Sequence, residues 1–267
     1  MQEAQYFAAE SPEEIEEQRL ANLESRRDPA TICRMKELGV RPGWRCLEVG
    51  AGRGSIARWL AEQVGPAGYV VATDIDLRFL ERIRGQNLEV RRHNVCEEDS
   101  EPNAYDLVHC RSLLVHVPKP EEAIPRMARA VRSGGWLFVE EPDYGSLGSA
   151  DPSYPGAAEF DRSTRVICDV AHVSGSMRTY FGRRLPGLIE RLGFENFEYE
   201  GAVEICRGKD PVARFYSLGG RIPKVRERLI ATGVQTREQL DHVLHMYDDP
   251  SFEFVSPIFF TAWARRP

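Results

Sequence analysis

The stretch Arg45-Cys46-Leu47-Glu48-Val49-Gly50-Ala51-Gly52-Arg53-Gly54-Ser55, a helical pattern through Val64, and then Tyr69-Val70-Val71-Ala72-Thr73-Asp74-Ile75-Asp76 together decide the fold. A short apolar strand enters a glycine-dense turn, an amphipathic helix follows, and a second apolar strand ends in carboxylates. That is the opening βαβ unit of a nucleotide-type site. Gly50 and Gly52 allow a sharp turn and close approach to a ligand, and Gly54 allows the helix start to sit against the strand. Asp74 follows Gly54 by twenty residues, where a carboxylate can accept hydrogen bonds from both hydroxyls of a ribose.

The spacing narrows the ligand. A dinucleotide loop reads G-x-G-x-x-G, and its helix dipole holds a pyrophosphate. Here the glycines read G-x-G-x-G, and the acidic Glu48 stands two residues before the first. A carboxylate there would repel a pyrophosphate but suits an ammonium. S-adenosylmethionine carries an adenosine, an ammonium and a sulfonium, and no phosphate. The stretch therefore resembles the first motif of the class I methyltransferases that use that cofactor and release S-adenosylhomocysteine. A nicotinamide oxidoreductase is the reading it disfavours.

At 267 residues the chain is long enough for one large α/β domain, or for a core domain with a smaller insertion. Its 28% charged and 42% apolar residues are ordinary for a soluble globular protein, and its net charge of −6 argues against a broad phosphate-binding face. Six cysteines, none in a C-x-x-C pair, read as reduced thiols of a cytoplasmic protein. No apolar run approaches the ~20 residues of a membrane span, and the polar, acidic start excludes a secretory signal.

Along the chain, two helices are expected from about Pro12 to Arg26 and from about Pro29 to Leu38, making a helical cap over residues 1–40 ahead of a catalytic domain at 41–267. A helix over about Leu77–Gly85 precedes a third strand at Leu88–Val95, and a fourth strand covers Tyr105–Cys110. A helix over Glu121–Arg132, stopped by Ser133-Gly134-Gly135, leads to a fifth strand at Trp136–Glu141. Strands and helices in alternation make a doubly wound, Rossmann-like α/β sheet, mostly parallel. Residues 143–180 break the rhythm with a loop and a helix and read as a lid over the acceptor. Further helices are expected at 182–192 and within an insertion at 209–250. Strands at Asn196–Ile205 and Phe254–Ala264 match the family's closing hairpin, giving seven strands with the last antiparallel.

Leu113-Leu114-Val115-His116-Val117-Pro118 and the turn Arg132-Ser133-Gly134-Gly135 resemble the corresponding segments of the small-molecule methyltransferases of ubiquinone and menaquinone biosynthesis. In such sheets the ligand lies beyond the carboxyl ends of the strands. The residues expected at the cofactor are Glu48, Gly50, Ala51, Gly52 and Ser55 in the first turn, and Asp74 and Ile75 after the second strand. Asn94 and Val95 follow the third strand, and Cys110 and Arg111 close the fourth. Asn94 stands where the family carries an acidic residue facing the adenine amino group, and the resemblance adds Tyr6 and Arg19 from the N-terminal piece. His116 is the candidate general base, with Tyr144 and His172 as polar candidates beside the acceptor. Glu140, Glu141 and Asp143 do not make a metal site, since adjacent strand residues face opposite ways.

Cys110-Arg111-Ser112-Leu113 lacks the Asn/Asp-Pro-Pro-aromatic motif of base-methylating enzymes, which points away from nucleic acid. A small organic acceptor is expected, methylated on oxygen, nitrogen or carbon, in a monomer or homodimer. The alternative is a protein of this family that binds the cofactor without moving its methyl group, as a cyclase or a binding partner.

Overall fold

The computed structural model describes residues 13–221 and 223–267; the expected contact at Tyr6 and the helix start at Pro12 lie outside them. The apolar runs that set the expectation form β1 (Arg45–Val49), β2 (Tyr69–Asp74), β3 (Leu88–Arg92), β4 (Tyr105–Arg111) and β5 (Val131–Asp143). All seven residues of β4 are buried, as a central parallel strand covered on both faces requires. These strands pair in parallel in the order β3-β2-β1-β4-β5, and β10 (Ile258–Arg265) and β7 (Glu195–Ala202) extend the same sheet to seven strands. The last strand is antiparallel, and the architecture is the expected Rossmann-like one. Because β1 lies between β2 and β4, the chain reverses direction across the sheet there, and the crevice opens at the carboxyl ends of those strands.

One face of the sheet is covered by α1 (Glu13–Glu37) and α2 (Ser55–Val64). Met35 of α1 and Ile56, Leu60 and Val64 of α2 share a buried cluster with Cys46, Leu107 and Phe138. The helix α3 (Pro120–Ala130) packs against β4 and α5 (Leu185–Glu190).

Three local expectations are corrected. The two N-terminal helices are one, α1, with Pro29 inside it. Proline removes one N–H but keeps a helical φ, and side-chain bonds hold the helix on both sides of it: Glu24 to Arg53, Asp28 to Arg111 and Thr31 to Glu140. The segment 77–85 makes only a 3₁₀ turn at Leu80–Arg82. Asp76 there binds the N–H and the guanidinium of Arg78, a local turn that competes with helix. The closing strands are broken, at residues 203–204 and at Ser256-Pro257, where proline has no N–H to donate.

The outer pieces, β8 (Ile205–Arg207) and β9 (Glu253–Val255), join β6 (Gly148–Ser149) in a second, three-stranded sheet. The chain accordingly divides into two compact units. One comprises the residues up to Glu141 with Arg184–Glu200 and Phe260–Pro267; the other comprises Pro142–Arg183 and Gly201–Phe259. The second unit carries α4 (Ala157–Val173), α6 (Pro211–Arg221) and α8 (Arg237–Met246) around a buried aromatic cluster of Phe160, Tyr247, Phe252 and Phe254, and α7 (Pro223–Ala231) packs through Leu229 against Leu240 and Leu244. Among the described residues no helix is long and apolar enough to cross a membrane.

Candidate functional site

The turn after β1 is tied to the end of β2. The N–H groups of Gly50 and Ala51 both donate to the Thr73 carbonyl, at 2.8 and 2.9 Å. Gly50 and Gly54 have φ of +72° and +78°, and a Cβ on them would come within 2.9 Å of Leu113 Cδ1 and 2.7 Å of Ile83 Cδ1. Both positions thus favour glycine on conformation, and a Cβ would in addition have to push the Leu113 or Ile83 methyl group aside. Asp74 closes the arrangement: its Oδ2 accepts from the Gly52 N–H at 2.9 Å and its Oδ1 from the Asp76 N–H at 3.0 Å. Burial raises the Asp74 pKa, and these N–H groups oppose the rise.

One cavity gathers most of the expected residues. Glu48, Gly50, Ala51, Gly52, Ser55, Asp74, Ile75, Arg111 and Arg19 line it, with Glu16, Leu20 and Glu24 from α1 and with Leu113 and His116. A second cavity shares Gly50, Asp74, Ile75 and His116 and adds His93, Asn94, Val95 and Cys96. Asn94 Oδ1 already accepts from the Cys96 N–H at 3.1 Å, so its NH₂ group and one lone pair remain for a ligand. Cys110 is not brought to either wall; it is fully buried within β4, and burial pushes its thiol pKa far up. Tyr144 and His172 belong to the second unit.

His116 lines both cavities. Burial, with the charge of Arg19, pulls its pKa down to about 3. General bases work best with a pKa near the operating pH, and a pKa lowered this far counts against His116 in that role.

Sequence reasoning missed a chain of buried polar groups behind the cavity. His109 is fully buried on β4, in register with Glu48 on β1, and its Nδ1 lies 2.6 Å from Glu48 Oε2. Its Nε2 lies 3.1 Å from Glu140 Oε2, which accepts from the Thr31 hydroxyl at 2.6 Å. Arg111 donates to Thr31 Oγ1 at 2.8 Å and to Asp28 Oδ1 at 2.7 Å, and Ser55 donates to the same Asp28 oxygen at 3.2 Å. The partners are 61, 31, 109, 80, 83 and 27 residues apart. A signal was available only in the polar side chains interrupting apolar strands at 48, 109 and 140.

With both ring nitrogens facing carboxylates, His109 is placed to hold a second proton. Burial alone would lower its pKa, but Glu48 and Glu140 overcome that and raise it to about 9. The same contacts bring Glu140 below the usual carboxylate range against its burial. A His pKa raised in the folded state gives stability that is complete below the unfolded value of 6.5 and is lost as pH rises through about 9. The difference in unfolding free energy between the wild type and His109→Gln is therefore expected to shrink by on the order of 3 kcal/mol across that window. Urea titrations at both ends check it, and a constant difference would mean a neutral ring.

Glu141 faces the other way from Glu140, as the alternation of a strand requires. Its Oε1 accepts from the Leu113 and Leu114 N–H groups at 2.9 and 2.7 Å, and its Oε2 from Val115 N–H at 3.2 Å. Burial raises its pKa to about 8 despite those donors. It caps the 3₁₀ turn at Leu114–His116 and so fixes the wall that carries Leu113 and His116.

The sequence model of a family described as a methyltransferase domain matches residues 6–199. An uncharacterized 37.1 kDa protein in transposon TN4556 of Streptomyces fradiae is 29% identical over 194 residues, which cover 70% of this chain and 54% of that protein. The chain thus spans about half the length of that relative. The ubiquinone/menaquinone biosynthesis C-methyltransferase UbiE of Cupriavidus taiwanensis is 34% identical over 175 residues, covering 61% of this chain and 72% of the relative. Among solved structures, a Haemonchus contortus phosphoethanolamine N-methyltransferase 2 in complex with phosphomonomethylethanolamine and S-adenosylhomocysteine superposes with a TM-score of 0.52. It is 18% identical, over 90% of this chain and 53% of that one, so the likeness is one of fold.

Proposed function

The chain belongs to the methyltransferase-domain family, and from that premise we propose that it transfers the methyl group of S-adenosylmethionine to a small organic acceptor. S-adenosylmethionine is the cofactor, and when bound it supplies a methyl group already activated on a sulfonium. The observation that carries the reading is the pairing of two carboxylates in one cavity across the G-x-G-x-G turn: Asp74, held by the Gly52 N–H, and Glu48, held by His109.

In this reading Asp74 accepts from the ribose hydroxyls and Glu48 faces the ammonium. Gly50, Ala51, Gly52 and Ser55 shape the turn, and Arg19 and Arg111 stand at the amino-acid end. Ile75, Asn94 and Val95 meet the adenine. A displacement in line with the sulfur–methyl bond needs alignment and exclusion of water rather than a protein nucleophile. The half-buried His116, its pKa lowered, suits the wall of the site better than it suits a base. Tyr144 and His172, which line neither of the two cavities, stay as the candidate polar residues for the acceptor.

The test has two stages. S-adenosylhomocysteine is expected to raise the melting temperature of the protein and NAD is not; the reverse would overturn the cofactor assignment. Methyl-labelled cofactor incubated with a metabolite extract is then expected to label a small organic product. Binding without labelling would favour the family member that holds the cofactor but moves no methyl group.

A further inference from the structure

We infer that His109 is a positioning residue for the amino-acid end of the cofactor, clamping the Glu48 carboxylate from behind the cavity through contacts that run to β5 and α1. The inference rests on the cofactor reading above and adds a residue that touches no ligand. Two observations support it.

First, the clamp is rigid. His109 is wholly buried, its ring packs 4.8 Å from that of Phe138, and its two nitrogens are 2.6 and 3.1 Å from carboxylates on the strands to either side. A ring fixed at both ends cannot rotate without breaking a charge-assisted hydrogen bond in a buried environment. Second, the clamp occupies Glu48 Oε2, while Glu48 itself lines the cavity. A carboxylate has about four acceptor positions on its two oxygens, so one held oxygen sets the direction in which the rest meet an ammonium.

The consequence separates two parts of one ligand. Replacing His109 should loosen the grip on the amino-acid tail and leave the grip on the nucleoside, whose residues Asp74, Asn94 and Val95 stand on β2 and after β3. Calorimetry with S-adenosylhomocysteine and with 5′-methylthioadenosine, which lacks the amino-acid tail, tests this. For His109→Gln the dissociation constant of S-adenosylhomocysteine is expected to rise roughly tenfold to a hundredfold, the size of a lost charge-assisted hydrogen bond. That of 5′-methylthioadenosine is expected to change by less than about twofold. Equal losses for both ligands, or no loss for either, would overturn the positioning role while leaving the cofactor reading intact. A wild-type protein that binds neither ligand would overturn that reading and this inference with it.

If His109→Gln does not fold, the wild-type protein still decides the matter. Nitrogen NMR of the imidazole should show both ring nitrogens protonated at neutral pH, with signals that move on adding S-adenosylhomocysteine and stay in place on adding 5′-methylthioadenosine. Signals that respond to both, or to neither, would overturn the inference.

Discussion

Asp74→Ala is expected to raise the dissociation constant of S-adenosylhomocysteine about a hundredfold, a loss of roughly 3 kcal/mol. A carboxylate at the end of β2 that accepts from both ribose hydroxyls makes two charge-assisted bonds, each worth ~1.5–3 kcal/mol when water is excluded. The same carboxylate also receives the Gly52 and Asp76 N–H groups, so its removal frees the glycine turn as well as the ligand. The loss should be as large for 5′-methylthioadenosine, because the ribose is common to both ligands. Asp74 and His109 are thereby distinguished by which ligand each variant fails to hold. Calorimetry measures both, and unchanged affinity in Asp74→Ala would remove Asp74 from the ribose.

Glu141→Ala should produce the largest loss of stability, about 3–5 kcal/mol from a total that for a domain is ~5–15 kcal/mol. The N–H groups of Leu113, Leu114 and Val115 would lose their acceptor, and Leu114 and Val115 are fully buried. Each unpaired buried donor costs about 1–3 kcal/mol. Glu141→Gln keeps an oxygen for Leu113 and Leu114 and should lose less than half as much. The proton matters too: with a folded pKa raised to about 8 from 4.5, this group contributes stability that falls as pH rises through that interval. Glu141→Gln, which cannot ionise, should lack that component of the decline. Urea unfolding at neutral pH gives the first comparison and a pH series the second. An Ala variant as stable as the wild type would mean that the turn finds other acceptors.

The two variants probe features of different legibility. Asp74 announces itself in sequence, because a glycine turn and a carboxylate twenty residues on lie within one βαβ unit whose geometry is local. Glu141 was readable as a strand residue facing away from Glu140, but nothing in its neighbourhood names Leu113–Val115 as its partners. The same holds for His109: its strand was evident, and its two carboxylate contacts were not. Pro29 suggested a break between two helices, yet Asp28 and Thr31 are bonded to β4 and β5 and the helix continues. Ser256-Pro257 sat within an expected strand, and the structure divides that strand between two sheets.

The order of the strands along the chain, the glycine turn after β1 and the carboxylate that closes it follow from periodicity and turn chemistry, which act over a few residues and are written in the chain itself. The raised pKa of His109, the lowered pKa of His116 and the acceptor role of Glu141 depend on how deeply each group sits in the fold and which charges surround it. Those neighbours come from strands and helices tens of residues away, so only the folded chain sets the charge on each ring and carboxylate.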